Sequence, residues 1–233
     1  LGQASDYDRL RPIILRLDEM AETPGWRRLT GELARENKRP DLAVLVAKRA
    51  YRDGLNFLDI AFPMLFPPLM NQRSGKPPIE VPLILAVVRQ ESAFNVKAKS
   101  PANAQGLMQL LPRTAFKVAK RLRVRFSRRR LTTDGVYNLT LGQAYLSELM
   151  REFKGSLVLA LAAYNAGSAR VRHWIRKYGD PRKADTDSID WVEIIPFNET
   201  RNYVQRVLEN LQVYRRRLAQ TEVALTLEND LHK

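Results

Sequence analysis

Glu91 is the residue whose type and position point to acid chemistry. In the stretch 81–92, VPLILAVVRQES, the apolar residues Val81, Ile84, Leu85, Val87 and Val88 recur at helical spacing. Glu91 continues that face one turn beyond Val87 and Val88, where a buried aliphatic is the ordinary occupant. Burial penalises a charged carboxylate, and the partial negative charge at a helix C-terminus does the same. Both effects raise the pKa and suit the group to donate a proton near neutral pH. A structural reading fits the same spacing: a Glu that reaches solvent, or one paired with Arg89 or Lys97. After a polar loop the chain reads Gln105-Gly106-Leu107-Met108-Gln109. Gly106 permits close approach of the backbone to a ligand or to another element. Met108 offers an adaptable apolar surface, and Gln109 an amide that donates and accepts. Ser100 is placed to hydrogen-bond the Glu91 carboxyl. Together these residues describe a carboxylic acid beside a groove lined by amide and thioether groups.

The elements that must position this group are all read as helices. Residues 6–62 form helical hairpins: Leu10, Ile13, Ile14 and Leu17 share one face, and Thr23-Pro24-Gly25 ends the run. A second helix covers Trp26 to Glu36, a third follows Pro40, and a short fourth lies near Leu55 to Ala61. Solenoid repeats need neighbours on which to bury their faces, and these short helices resemble the end of such an array. Six prolines and one glycine in 63–82 mark a domain boundary, with Phe62, Leu65 and Phe66 tucked against the domain that carries Glu91. Asp134-Gly135 reads as a turn ahead of a helix from Leu139 to Phe153. The apolar run Leu157 to Tyr164 reads as a central helix with Tyr164 at its end, where a tyrosine is commonly core filling. A helix over Val171 to Tyr178 and a polar loop over 179–188 come next. Asn198 is the expected N-cap of a long helix to about Leu218, with Glu199 in its first turn, serving the helix dipole or an ion pair with Arg201.

Composition bounds the reading. The 233 residues, 45% of them apolar, suffice for one core plus an appendage, and no uninterrupted apolar run reaches membrane-spanning length. Without cysteine there are no disulfides or thiolate metal sites, and His173 and His232 stand too far apart in sequence to suggest a His-based metal centre. No metal or cofactor is expected. The net charge is +14, and residues 113–130 carry nine Lys or Arg and no acid. Nucleic acid, anionic lipid and an acidic polymer are the partners such a block fits. Only Phe116 and Phe126 interleave it, and no nucleic-acid-binding motif appears, so nucleic acid is not expected.

The order and spacing of three segments resemble one family. Glu91-Ser-Ala-Phe-Asn95 leading through Ser100 to Gly106-Leu-Met-Gln-Leu-Leu-Pro112 is the first, Ala162-Ala-Tyr-Asn-Ala-Gly167 with Arg170-Val171 the second, and Ile195-Pro-Phe-Asn-Glu-Thr-Arg-Asn-Tyr-Val204 the third. They are similar to the catalytic domain of the soluble lytic murein transglycosylases, itself related in fold to goose-type lysozyme. The resemblance covers roughly 78–217. It implies an all-α, lysozyme-like domain over 78–217, preceded over 1–77 by the last helices of a superhelical domain and a Pro-rich linker. A polar helical tail, 218–233, completes the chain. The resemblance also implies a protein longer at its N-terminus and a periplasmic enzyme whose export signal lies outside these residues.

A hydrolysing glycosidase normally uses two carboxylates. Asp134, Glu193 and Glu199 are the candidates for a second, but only Glu91 has both a motif and an apolar setting. The resemblance implies a single Glu that protonates the glycosidic oxygen and then acts as base for the muramyl 6-hydroxyl, leaving a 1,6-anhydro sugar. In that account Ser100 orients Glu91, and Gln109, Tyr164, Asn165 and Glu199 position the glycan. Tyr164 faces the acid, Met108 lines the groove and Tyr203 stacks on a sugar. Asn103, Val96 and Leu111 depart from residues frequent in the family and affect subsite shape. The basic 113–130 segment is expected to contact acidic stem peptides of peptidoglycan. A goose-type hydrolase and a non-catalytic basic binding module are the competing readings.

Overall fold

The computed structural model describes residues 3–64, 78–219 and 227–231. The expected contacts of Leu65 and Phe66, the linker over 65–77, and most of the C-terminal tail lie outside the described residues. Among those described, every element is a helix, and the only β pairing is two isolated bridges, Lys99 to Gln105 and Gln105 to Leu110.

Four helices come first: α1 (Gln3–Glu19), α2 (Pro24–Glu36), α3 (Pro40–Arg52) and α4 (Leu58–Ala61). Proline opens α2 and α3, where its missing N–H costs nothing, and the Thr23 hydroxyl accepts the Trp26 N–H at 3.2 Å to cap α2. Ile14, Ala34, Leu42, Val46 and Ile60 form a small core of their own. Gly31 lets α2 close on α4, since a Cβ there would lie 3.0 Å from Ile60 Cγ2. On α3, Val44 instead joins the main core.

The body that holds Glu91 begins with α5 (Val81–Ser92), which carries it. Periodicity predicted one apolar face, but all six residues from Leu83 to Val88 are buried. The long α12 (Asn198–Leu218) packs along one side of it, and α9 (Leu157–Ala166), buried from Leu157 to Ala163, packs against α12. A second core, with Leu110, Val118, Leu131 and Leu141, lies under α6 (Pro112–Arg121), α7 (Arg130–Thr133) and α8 (Gly135–Glu152). The expected start of α8 at Leu139 is four residues late. The Asp134 carboxylate accepts the Tyr137 N–H at 3.0 Å, so Asp134-Gly135 is a capped helix start rather than a free turn. Ser156 caps α9, and Gly167, at φ 90°, separates it from α10 (Ser168–Tyr178). Then α11 (Ser188–Glu193) is capped by Asp187. The start of α12 differs from expectation by one residue: Phe197 is its N-cap, and Asn198 Oδ1 accepts from Arg201 at 2.8 Å instead.

Two sets of contacts tie the ends of the chain to this body. Arg89 donates to the Ala61 carbonyl at 2.8 Å and to Asn210 Oδ1 at 2.7 Å, and its guanidinium sits 3.9 Å from the Phe62 ring centroid. Tyr214 donates to the Pro63 carbonyl, and Arg217 to those of Leu58 and Phe62. At the other end, α13 (Leu227–Leu231) returns to α12: buried Asp230 accepts from Gln212 at 2.8 Å and pairs with Arg215, which also holds Glu80. The part of the tail that is described is therefore docked on the domain.

Candidate active site

Glu91 lies in the last turn of α5, which ends in a left-handed residue, Ala93, at φ 48°. Phe94 follows at φ 69° and is buried, so an aromatic anchor fixes the exit of the chain. Asn103 and Gln109 also hold positive φ, so strained non-glycine backbone gathers in the loop opposite Glu91. The Ser92 hydroxyl donates to the Leu107 carbonyl at 2.8 Å and joins that loop to the helix.

The loop is held from beneath by Asn138 on α8. Its Nδ2 donates to the Gln105 carbonyl at 2.8 Å and the Leu131 carbonyl at 3.0 Å, and its Oδ1 accepts the Met108 N–H at 2.8 Å. Sequence reasoning missed this residue; its signal is a polar amide in a helix whose neighbours Leu139 and Leu141 are core. Gly106, at φ 78°, makes room for it: a Cβ would fall 2.0 Å from the Leu131 carbonyl oxygen and 2.2 Å from Asn138 Nδ2. Its close approach is thus to another element, not to a ligand.

Around the acid stand Tyr164 and Tyr203. Tyr164, at the end of α9, donates its hydroxyl to the Met108 carbonyl at 2.8 Å. Its ring lies parallel to that of Tyr203, with centroids 6.4 Å apart and 3° between planes. The Tyr203 hydroxyl is buried beside the Glu91 carboxyl without meeting hydrogen-bond geometry to any acceptor. Burial, and next the Glu91 charge, push both phenols well above their ordinary pKa, so both remain neutral. Glu91 itself is pushed up to about 8. Burial is the main cause, the Tyr203 hydroxyl works against it, and the Glu199 charge adds to it. Glu91 is therefore a protonated acid at neutral pH. Arg89 does not neutralise it, being turned to Ala61, Phe62 and Asn210.

Of the candidate second carboxylates, only Glu199 acts on Glu91. Asp134 is committed to the α8 cap and to Arg130, which hold it below the usual carboxylate range despite the opposing effect of burial. Glu193 accepts from Gln205 and faces Arg201 at 3.8 Å. Glu199 is exposed in the first turn of α12 and is not held by Arg201, which bonds Asn198.

Other expected residues sit differently from their sequence reading. The Ser100 hydroxyl accepts the Ala104 N–H at 3.0 Å and closes its own turn; it makes no bond to Glu91. The Met108 side chain is completely buried, seated against Gly142, where a Cβ would lie 2.2 Å from its sulfur, so it does not line an open groove. The Tyr203 ring, buried and stacked on Tyr164, offers no face to a sugar. Gln109 donates its amide to the Gly106 carbonyl at 2.8 Å and that of Ala98 at 3.2 Å. Asn165 accepts the Thr200 hydroxyl at 2.6 Å, bringing the second and third sequence segments together. Among the described residues no group of three or more His, Cys, Asp or Glu is placed to hold a metal ion.

The chain is similar to known proteins. The family described as "Transglycosylase SLT domain" matches residues 68–186, and "Soluble lytic transglycosylase helical domain" matches 194–223. The soluble lytic murein transglycosylase of Escherichia coli K12 is 36% identical over 159 residues, 68% of this chain and 24% of the relative. The crystal structure of the 70 kDa soluble lytic transglycosylase from Escherichia coli superposes with a TM-score of 0.76 at 31% identity, covering 85% of this chain and 31% of that one. An inactive Glu-to-Gln mutant of the lytic transglycosylase Slt from Pseudomonas aeruginosa gives 0.70 at 37% identity, covering 81% and 30%. The chain thus spans about a quarter to a third of the length of these relatives. With its acid-bearing helix, its Asn138-braced loop and its tyrosine pair laid out on a fold shared with these proteins, the chain belongs to the soluble lytic murein transglycosylase family.

Proposed function

We propose that this chain is the catalytic part of a lytic transglycosylase that cleaves the β-1,4 bond between N-acetylmuramic acid and N-acetylglucosamine in peptidoglycan, in the periplasm and without consuming water. The observation that carries the reading is a single carboxyl, Glu91, protonated to about pH 8, with no carboxylate but Glu199 acting on it. A neutral acid suits proton donation to the glycosidic oxygen as the C1–O bond breaks. The Glu91 carboxylate so formed takes the proton of the muramyl 6-hydroxyl as that oxygen bonds to C1. The acid is regenerated, and the 1,6-anhydro end balances the cleavage. The inactivity of the Glu-to-Gln relative supports an essential glutamate.

In this reading the Tyr203 hydroxyl stabilises the transient Glu91 carboxylate, and Tyr164 braces the loop through the Met108 carbonyl. Asn165, Gln109 and Glu199 meet the glycan, and Ser100 shapes the loop rather than the acid. Residues 78–217 form the lysozyme-like domain, and α1–α4 the end of a superhelical one.

Mass spectrometry of muropeptides released from purified sacculi tests this, with Glu91→Gln as control. Ends one water lighter than reducing sugars, lost in the variant, are expected. Reducing ends would establish a hydrolase, which needs a second carboxylate.

A further inference from the structure

We infer that the outer face of α6 and the loop after it form a peripheral docking surface for an anionic phospholipid bilayer. Arg113, Phe116, Lys117 and Lys120 recur at i, i+3, i+4 and i+7, and all are exposed. The opposite face, Ala115, Val118 and Ala119, is fully buried in the second core. The helix is thus anchored without its outer residues. Phe116 is 52% exposed, Leu111 46% and Val124 40%. Phe116 meets Phe126 edge-on, with centroids 5.6 Å apart. Around these apolar groups, Arg121 pairs with Glu148, Arg130 with Asp134, and Arg128 bonds Asn103. Arg113, Lys117, Lys120, Arg123, Arg125 and Arg129 make no ion pair among the described residues.

Two features of this face need one partner. Unpaired cations on a chain of net charge +14 call for a polyanion. An acidic peptide or a nucleic acid would satisfy them, yet would leave Phe116, Leu111 and Val124 in water. An anionic lipid surface accepts both: phosphates meet the Lys and Arg heads while the apolar groups enter the acyl boundary beneath them. The attachment is peripheral, because no described helix is long and apolar enough to cross a membrane. Arg128, bonded to Asn103 of the active-site loop, places this face next to the loop opposite Glu91. This surface goes beyond the proposed reaction and does not depend on it.

Co-sedimentation with vesicles tests the inference, using equal parts phosphatidylglycerol and phosphatidylcholine against phosphatidylcholine alone. The expected result is binding to the anionic vesicles only. Lys117→Gln and Lys120→Gln should each weaken it about fivefold. Phe116→Ser should weaken it about tenfold at unchanged charge. All three positions are exposed, so an unchanged thermal midpoint will verify folding. Absence of binding to anionic vesicles overturns the proposal. So does equal binding to duplex DNA or purified sacculi that Phe116→Ser leaves intact, since the face would then be purely electrostatic.

Discussion

The rings of Tyr164 and Tyr203 lie within 3° of parallel beside Glu91, yet their hydroxyls have unlike fates. That of Tyr164 is spent on the Met108 carbonyl, while that of Tyr203 is buried and faces the acid. The first braces the loop, and the second tunes the proton donor.

Tuning by Tyr203 has a sign that can be measured. Its hydroxyl holds the Glu91 pKa down, so Tyr203→Phe should raise that pKa and move the alkaline limb of the kcat/KM profile to higher pH. The hydroxyl does not reach full hydrogen-bond geometry to the carboxyl, so stability should change by less than about 1 kcal/mol. An alkaline limb that moves the other way would sink this assignment.

Glu199 should act in the opposite sense. Its charge raises the Glu91 pKa, so Glu199→Gln should shift the alkaline limb to lower pH. A fall in kcat with an unmoved limb would show that Glu199 acts only on the glycan.

Glu91→Gln should lower kcat about 10²–10⁴-fold. It should also flatten the dependence of stability on pH. The folded protein holds the Glu91 proton more tightly than the unfolded chain, so that contribution is fully present below pH 4.5 and is lost as pH rises through about 8. Thermal midpoints at mildly acid and mildly alkaline pH should therefore differ less in the variant than in the parent. A gap unchanged by the substitution would contradict the raised pKa.

The loop should fail at its two supports. Gly106→Ala places a Cβ against the Leu131 carbonyl at positive φ and should cost about 3 kcal/mol or more. Asn138→Leu removes the partner of three buried backbone groups and should cost about 2–4 kcal/mol. Urea unfolding measures both; losses under about 1 kcal/mol would show that the loop is held elsewhere.

The helical course of the chain and the anomaly at Glu91 were legible because a 3.6-residue period exposes any polar residue that interrupts it. Helix starts were less so. Asp134 reads as part of a turn although its carboxylate caps α8, because a turn and a cap use the same short acidic side chain. The roles of Met108, Tyr203 and Ser100 were misplaced for one reason. Whether a side chain faces a groove or a neighbour depends on what packs across from it, and Gly142, Tyr164 and Ala104 are invisible to local spacing. Asn138 escaped notice because its three partners come from loops that sequence alone does not bring together.

Arg89 and Glu91 stand two residues apart on α5, and Arg89 is moored to Ala61 and Phe62 across the proline-rich stretch. The unit that must be inherited together is accordingly larger than the unit that does the chemistry. A gene fusion or a shuffled chimera joined at that stretch would import an α5 whose arginine has lost its berth. Recombination among relatives should therefore do best when the segment from α4 through Phe62 travels with the arginine it holds.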